Sequence, residues 1–174
     1  PEAVAIALAV GLLGGALNGA LVALVGILPF VATLATLTIF SGLAFIVSGG
    51  RTISGRSIPE AFGVFARDGL VLGPVTIPNL TLVAAFVVLV VWVLLEQTTF
   101  GRRLYAIGGN IEAAHLAGVG VRRLKLAAFA LTGLSAAGAG LMYASRVASA
   151  NPTQGSGLML NAIFLDTLDQ DAAM

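Results

Sequence analysis

The chain carries no charged side chain between Glu2 and Arg51, a run of 48 residues. Because about 20 apolar residues span the hydrocarbon core of a bilayer, this run is too long for one membrane-spanning helix. Pro29 divides it, since proline lacks an N–H group and disfavours helix in the residue before it. The run therefore predicts two membrane-spanning helices, at about residues 3–28 and 31–48.

Two further apolar runs predict helices at about 80–96 and 126–147, with connecting loops at 49–79 and 97–125. The 174 residues are 58% hydrophobic and 10% charged, whereas about a quarter of the residues in a soluble domain are charged. The net charge of +1 gives no support to a nucleic-acid partner, and the absence of cysteine excludes disulfides and thiolate metal sites. We therefore expect an all-α integral membrane protein, surrounded by membrane lipid, with about four transmembrane helices in one domain.

The loop at 97–125 is the only long polar and strongly basic segment of the sequence. Its one acid is Glu112, and its bases are Arg102, Arg103, Arg122, Arg123 and Lys125. A short helix is predicted at its centre, with Asn110 as N-cap and Gly118 as the left-handed residue at its end. The bases favour the cytoplasmic side for this loop and the outside for 49–79. Composition alone leaves two interpretations open: a helix offered to a partner, or an ordinary connecting loop.

The segment FGRRLYAIGGNIEAAHLAGVGVRRLK resembles the cytoplasmic loop of ABC-transporter permeases of the ribose and simple-sugar uptake class. In that family a G-x-N-x-x-A-A-x-x-x-G-[IV] pattern forms the coupling helix that docks on the ATPase subunit. The residues at those positions here are Gly108, Asn110, Ala113, Ala114, Gly118 and Val119. The segments LPFVATLATLTIFSGLAFIVSGGRTI and ASRVASANPTQGSG are similar to other parts of the same permeases. The resemblance extends from about residue 14 to about residue 162.

This resemblance implies a permease subunit of an ATP-driven importer for a monosaccharide or similar polar solute, in a bacterial cytoplasmic membrane. The implied partners are an ABC ATPase subunit, a second permease copy and an extracytoplasmic solute-binding protein. In the coupling helix, Glu112 is expected to pair with a base of the ATPase and Leu116 to offer an apolar contact. The alternatives are a nucleoside-type importer permease and a structural membrane module that transports nothing.

The C-terminal segment at 158–174 departs from the pattern of these permeases. Met159 and Asn161 stand where acids are expected, and the last nine residues match nothing in the family. The family's permeases are also longer than this chain, which begins with Pro1 and has no basic stretch typical of a signal peptide. We therefore expect a fragment of a longer permease with an atypical C-terminus.

Polar and aromatic side chains in the first two helices are candidates for a solute pathway: Asn18, Thr33, Thr36 and Phe40. A polar side chain at membrane depth is expected to face protein or a water-filled path. Each polar group also has a purely structural alternative. An amide can form an interhelical hydrogen bond, and a threonine hydroxyl can bond back to the carbonyl one turn earlier.

Small residues form two rows that predict helix-packing faces. The first helix has Gly11, Gly15 and Gly19, and the fourth has Gly133, Ala137, Gly138 and Gly140. Such rows let a neighbouring backbone approach closely, which drives helix association in lipid. We therefore expect the first helix to pack through its glycine row.

The sequence lacks the residues that several kinds of chemistry need. No G-x-x-x-x-G-K-[ST] segment is present, so ATP hydrolysis is expected on a partner subunit and the chain itself is expected not to be an enzyme. His115 has no neighbouring cysteine or second histidine, so we expect neither a metal site nor a bound cofactor. No ionisable group lies inside a predicted crossing, which argues against a proton-coupled carrier.

Overall fold

A computed structural model describes residues 2–54, 69–72 and 75–152. The predictions for 158–174, and most of those for the loop at 49–79, lie outside these residues. The described part contains four helices that are long and apolar enough to cross a membrane. This confirms the predicted class, an all-α membrane protein with four transmembrane helices.

A π-helical turn and a left-handed glycine separate the first two membrane-spanning helices, in addition to the predicted proline. Helix α1 runs over Glu2–Ala20 and continues as a π-helical turn over Leu21–Val25. Gly26, with φ of 82°, ends this turn, and its N–H donates to the Leu21 carbonyl. Helix α2 covers Pro29–Ser48, with proline in its first turn, where its missing N–H costs nothing. The α-helix predicted at 3–28 thus ends earlier, because the wider π turn and a left-handed glycine follow it.

The second half of the described chain contains four helices. They are α3 at Asn79–Glu96, α4 at Thr99–Gly109, α5 at Ile111–Leu116 and α6 at Val121–Val147. The segment predicted as a loop at 97–125 is therefore mostly helical. Helix α6 begins five residues before the predicted start at 126, since arginine and lysine in a first turn can extend their charged ends into water.

Short strands join the helices at one end of the molecule. Strand β1 at Ile53–Ser54 follows α2 and pairs antiparallel with β4 at Ser149–Ala150, which follows α6. Strands β2 at Gly69–Leu72 and β3 at Val75–Pro78 form a second antiparallel pair ahead of α3. The C-terminal ends of α2 and α6 therefore lie together, and the first turn of α6 lies at the opposite end.

The main helix–helix contact joins α1 and α6 in antiparallel orientation. A Cβ placed on Gly19 would lie 2.9 Å from the Leu126 Cα, and one on Gly15 would lie 3.0 Å from the Gly133 Cα. A Cβ on Gly11, at the other end of the row, would overlap Ala137. The glycine row of the first helix is therefore a packing face, as predicted.

The small residues of α6 divide into two groups. Gly133 lies against α1, where a Cβ would come within 2.7 Å of the Gly15 Cα. For Gly138 and Gly140, the described part of the chain places nothing within 4 Å of a Cβ. The prediction that both belong to the packing face is wrong for this contact. Gly138 is rotated away from the face that residues 133 and 137 share, whereas Gly140 lies on that face, about one turn beyond the contact of Ala137 with Gly11.

Candidate functional site

Helices α3 and α4 meet at a corner that leaves no room for a side chain at Gly101. A Cβ at this buried glycine would overlap the main chain of Leu95, in the last turn of α3. Thr98 stabilises the corner from both sides: its hydroxyl donates to the Leu94 carbonyl and accepts from the Gly101 N–H at 3.5 Å. Helix α4 is therefore fixed directly against the end of a spanning helix. The sequence did not predict this role, since its signal there is a lone glycine between an apolar run and two arginines.

Helix α4 is amphipathic and turns its apolar face inward. Phe100, Leu104 and Ile107 are half-buried, and their spacing places them on one face of the helix. Arg102 and Arg103 are exposed. On the outer side, the Tyr105 hydroxyl donates to Glu96 Oε1 at 3.4 Å, a second link between α4 and α3.

Helix α5 is the short helix predicted at the centre of the basic segment, and it is capped at both ends. The Asn110 Oδ1 accepts from the N–H groups of Glu112 and Ala113, each at 3.0 Å. Gly118 has φ of 78°, and the Val119 N–H donates to the Ala114 carbonyl at 3.0 Å. This is the left-handed Schellman end, so both predicted caps are confirmed.

The outer surface of α5 is apolar with one acid. Leu116 is 88% exposed, and Ile111 is exposed beside it. Together with Glu112 and His115 they line a shallow concavity of about 400 Å³.

The two alanines of the matched pattern face different ways. Ala113 is exposed, whereas Ala114 is buried at 5% exposure, because adjacent residues point about 100° apart around a helix. Ala113 is therefore on the exposed side of α5, whereas Ala114 packs inward. Gly108 is exposed, and a Cβ there would meet nothing within 4 Å in the described part of the chain.

Three of the four predicted pathway residues lie between α1 and α2, in two contacts about one turn apart. The Thr36 hydroxyl, 3% exposed, lies within hydrogen-bond distance of Asn18 Oδ1 at 2.9 Å and of the Thr33 and Ala32 carbonyls of its own helix at 3.0 and 3.1 Å. One turn along, the Phe40 ring lies against Gly14, its Cζ 3.0 Å from where a Cβ would be. Thr33 stands apart, because its hydroxyl donates to the Pro29 and Phe30 carbonyls of its own helix.

The sequence of the chain matches a family of known proteins. Residues 1–165 match the family described as "Branched-chain amino acid transport system / permease component". The ribose import permease protein RbsC of Bacillus subtilis is 46% identical over 146 residues, 84% of this chain and 44% of that protein. The RbsC of Escherichia coli K12 is 35% identical over 92% of this chain and 50% of its own length.

The galactose/methyl galactoside import permease protein MglC of Haemophilus influenzae is 36% identical over 89% of this chain and 46% of its own length. The chain thus spans about half the length of the curated relatives it matches. No solved structure matches it. The family match over nearly the whole chain, together with four membrane-spanning helices, shows that this multi-pass membrane protein belongs to the permease-component family of the branched-chain amino acid transport system.

Proposed function

We propose that the chain forms part of the permease subunit of an ATP-driven importer for a monosaccharide or a similar polar solute, in a bacterial cytoplasmic membrane. Its relatives include ribose and galactose import permeases, which supports the solute class. The observation that carries the proposal is α5, a short helix capped at both ends and held between α4 and the long spanning helix α6. A structural module that only packs by its glycines has no need of such a helix.

The proposed partner at α5 is a separate ATPase subunit, which hydrolyses the ATP. Its surface would close over Ala113 and Leu116, with Glu112 available to a base on the partner. Motion of α5 would reach α3 through the Gly101 corner and α6 through the segment at 118–120. We further propose a second permease copy in the membrane and a solute-binding protein at the end that carries β1 and β4.

Ala113→Arg tests the coupling role. The site is exposed and its N–H only completes the Asn110 cap, so folding and insertion should be unchanged. A bulky charge in a fitted contact should weaken ATPase binding by at least about tenfold, since misplaced charge costs several kcal/mol. The measurement is pull-down of the ATPase by a permease containing this chain, with solute uptake in parallel.

Two variants control the coupling experiment. Ala113→Ser keeps the small volume and should retain binding and uptake. Ala106→Arg adds the same charge to an exposed position of α4, outside the proposed contact, and should also retain both. Undiminished ATPase binding and uptake in Ala113→Arg would mean that α5 is a connector, and the structural-module alternative would then lead.

The proposed topology places 97–125 in the cytoplasm and the β1–β4 end outside. Because the chain has no cysteine, one introduced thiol reports one position. Gly120 suits the test, since it is exposed with φ of −72° and a Cβ there meets nothing within 4 Å in the described residues. An impermeant thiol reagent applied outside intact cells should label Arg51→Cys and leave Gly120→Cys unlabelled. Labelling of Gly120→Cys from outside would reverse the topology.

We also propose that Asn18, Thr36 and Phe40 line a solute path between α1 and α2, with Thr33 at its edge. Asn18→Leu removes the amide at nearly constant volume and should lower uptake about tenfold or more, the effect of losing one hydrogen bond to the solute (about 1–3 kcal/mol). Thr38→Val is the control, because the Thr38 hydroxyl is exposed and donates to the Leu34 carbonyl of its own helix. If the melting temperature of Asn18→Leu falls while uptake per folded molecule is unchanged, the amide serves helix packing alone.

A further inference from the structure

An open cleft of about 1030 Å³ lies where α4, the end of α5 and the start of α6 meet. Three of the side chains that line it are guanidinium groups: Arg103 from α4, and Arg122 and Arg123 from α6. All three are exposed, and none forms an ion pair with another residue in the described part of the chain. Among the described residues no acid lines this basic cleft. The cleft therefore concentrates positive charge that no acid of the described residues pairs.

The depth of the basic cleft follows from the length of α6. Its 27 residues are about 40 Å long at about 1.5 Å per residue, about 10 Å more than the hydrocarbon core. Since the uncharged stretch at 126–145 is long enough to span the core, the first turn of α6, with Arg122 and Arg123, is expected at the level of the lipid headgroups. The lining continues to Leu124 and Ala127, further along α6 toward the hydrocarbon core. The cleft is basic at headgroup depth and apolar below it.

We propose that the basic cleft binds an anionic phospholipid, with its phosphate held by Arg103, Arg122 and Arg123. A planar guanidinium donates two parallel hydrogen bonds to phosphate oxygens, and basic pockets between membrane helices are suited to acidic headgroups. The acyl chains would lie along Leu124 and Ala127. The bound lipid would tie α4 to α6 beside α5 and restrict the motion of both.

The cleft adjoins the surface proposed to meet the ATPase, and His115 lines both. That surface is the apolar outer side of α5 around Ile111 and Leu116, whereas the other residues that line the cleft belong to α4, to the segment at 118–120 and to α6. An acidic protein surface would also complement the arginines. The apolar wall that continues along a spanning helix favours a lipid, because a peripheral protein has no part that enters the hydrocarbon core.

The test uses the chain purified in detergent and titrated with short-chain phosphatidylglycerol or phosphatidylcholine, with bound lipid counted by native mass spectrometry. We expect phosphatidylglycerol to be retained in preference. The triple variant Arg103→Gln/Arg122→Gln/Arg123→Gln should bind it about 100-fold more weakly, at about fivefold per base. The triple Arg→Lys variant, which keeps the charge, should retain most of the affinity. Arg51→Gln/Arg146→Gln removes two bases at the opposite end and should bind phosphatidylglycerol like the parent chain.

Four results would overturn the proposal. One is equal retention of the two lipids, and a second is unchanged phosphatidylglycerol binding by the triple Gln variant with its helical circular dichroism intact. Another is displacement of the lipid by millimolar inorganic phosphate, which would make this a site for free phosphate. The last is loss of ATPase capture by the triple Gln variant with lipid binding intact, which would assign the arginines to the ATPase. None of these variants alters Ala113, so failure here is distinguishable from failure of the coupling proposal.

Discussion

Gly15→Leu should separate α1 from α6 and lower the free energy of unfolding by about 3 kcal/mol or more. A Cβ at this position already overlaps the Phe129 carbonyl and lies 3.1 Å from the Ala130 Cα. Overpacking typically costs about 1–3 kcal/mol when side chains can move aside. Here the neighbour is main chain of α6, which cannot rotate away, so the whole helix has to move. The measurement is the apparent melting temperature and the monodisperse fraction of the chain in detergent.

Gly138→Leu is the matched control for this substitution. It makes the same change inside α6, at a glycine where a Cβ meets nothing within 4 Å in the described part of the chain. Both variants gain the same helix propensity of about 0.8–1 kcal/mol over glycine, so their difference isolates the contact. Gly15→Leu protein as stable as Gly138→Leu protein would contradict the α1–α6 packing.

Gly101→Ala should break the corner between α3 and α4 by adding a single carbon. That carbon would overlap the Leu95 carbonyl, so α4 has to swing away from the end of α3. The shift would also separate Thr98 from the Gly101 N–H and Tyr105 from Glu96. We expect the free energy of unfolding to fall by about 3 kcal/mol, the upper range of the cost of overpacking. A permease containing the changed chain should also lose solute uptake. Thermal unfolding and uptake are measured on the same preparation.

Gly108→Ala provides the control within the same helix. A Cβ there meets nothing within 4 Å among the described residues, and alanine favours helix over glycine by about 0.5–1 kcal/mol. The control should therefore be as stable as the parent or slightly more stable. Normal stability and uptake in Gly101→Ala would show that α4 is free to move against α3. This result would contradict the proposal that motion of α5 reaches α3 through the Gly101 corner.

The sequence by itself predicted the features that depend on neighbouring residues. A run without charge sets the number of spans, because the bilayer thickness and the rise of a helix are fixed. The ends of α5 are equally local. Asn110 bonds to N–H groups two and three residues ahead, and Gly118 supplies a backbone conformation that other residues rarely adopt. These contacts lie within one or two turns of chain, so a local pattern predicts them.

The tertiary structure decided which faces of the helices meet. Every side of these spans is apolar or small, so periodicity cannot show how a helix is rotated in lipid. Rotation separates Gly133 from Gly138 and Ala113 from Ala114, although each pair reads alike in the sequence. The same holds for the two threonines: both hydroxyls reach carbonyls of their own helix, but Thr36 also reaches Asn18 on another helix. The Gly101 corner depends on the angle between two consecutive helices, which follows from the contact of their main chains and from no pattern within either one.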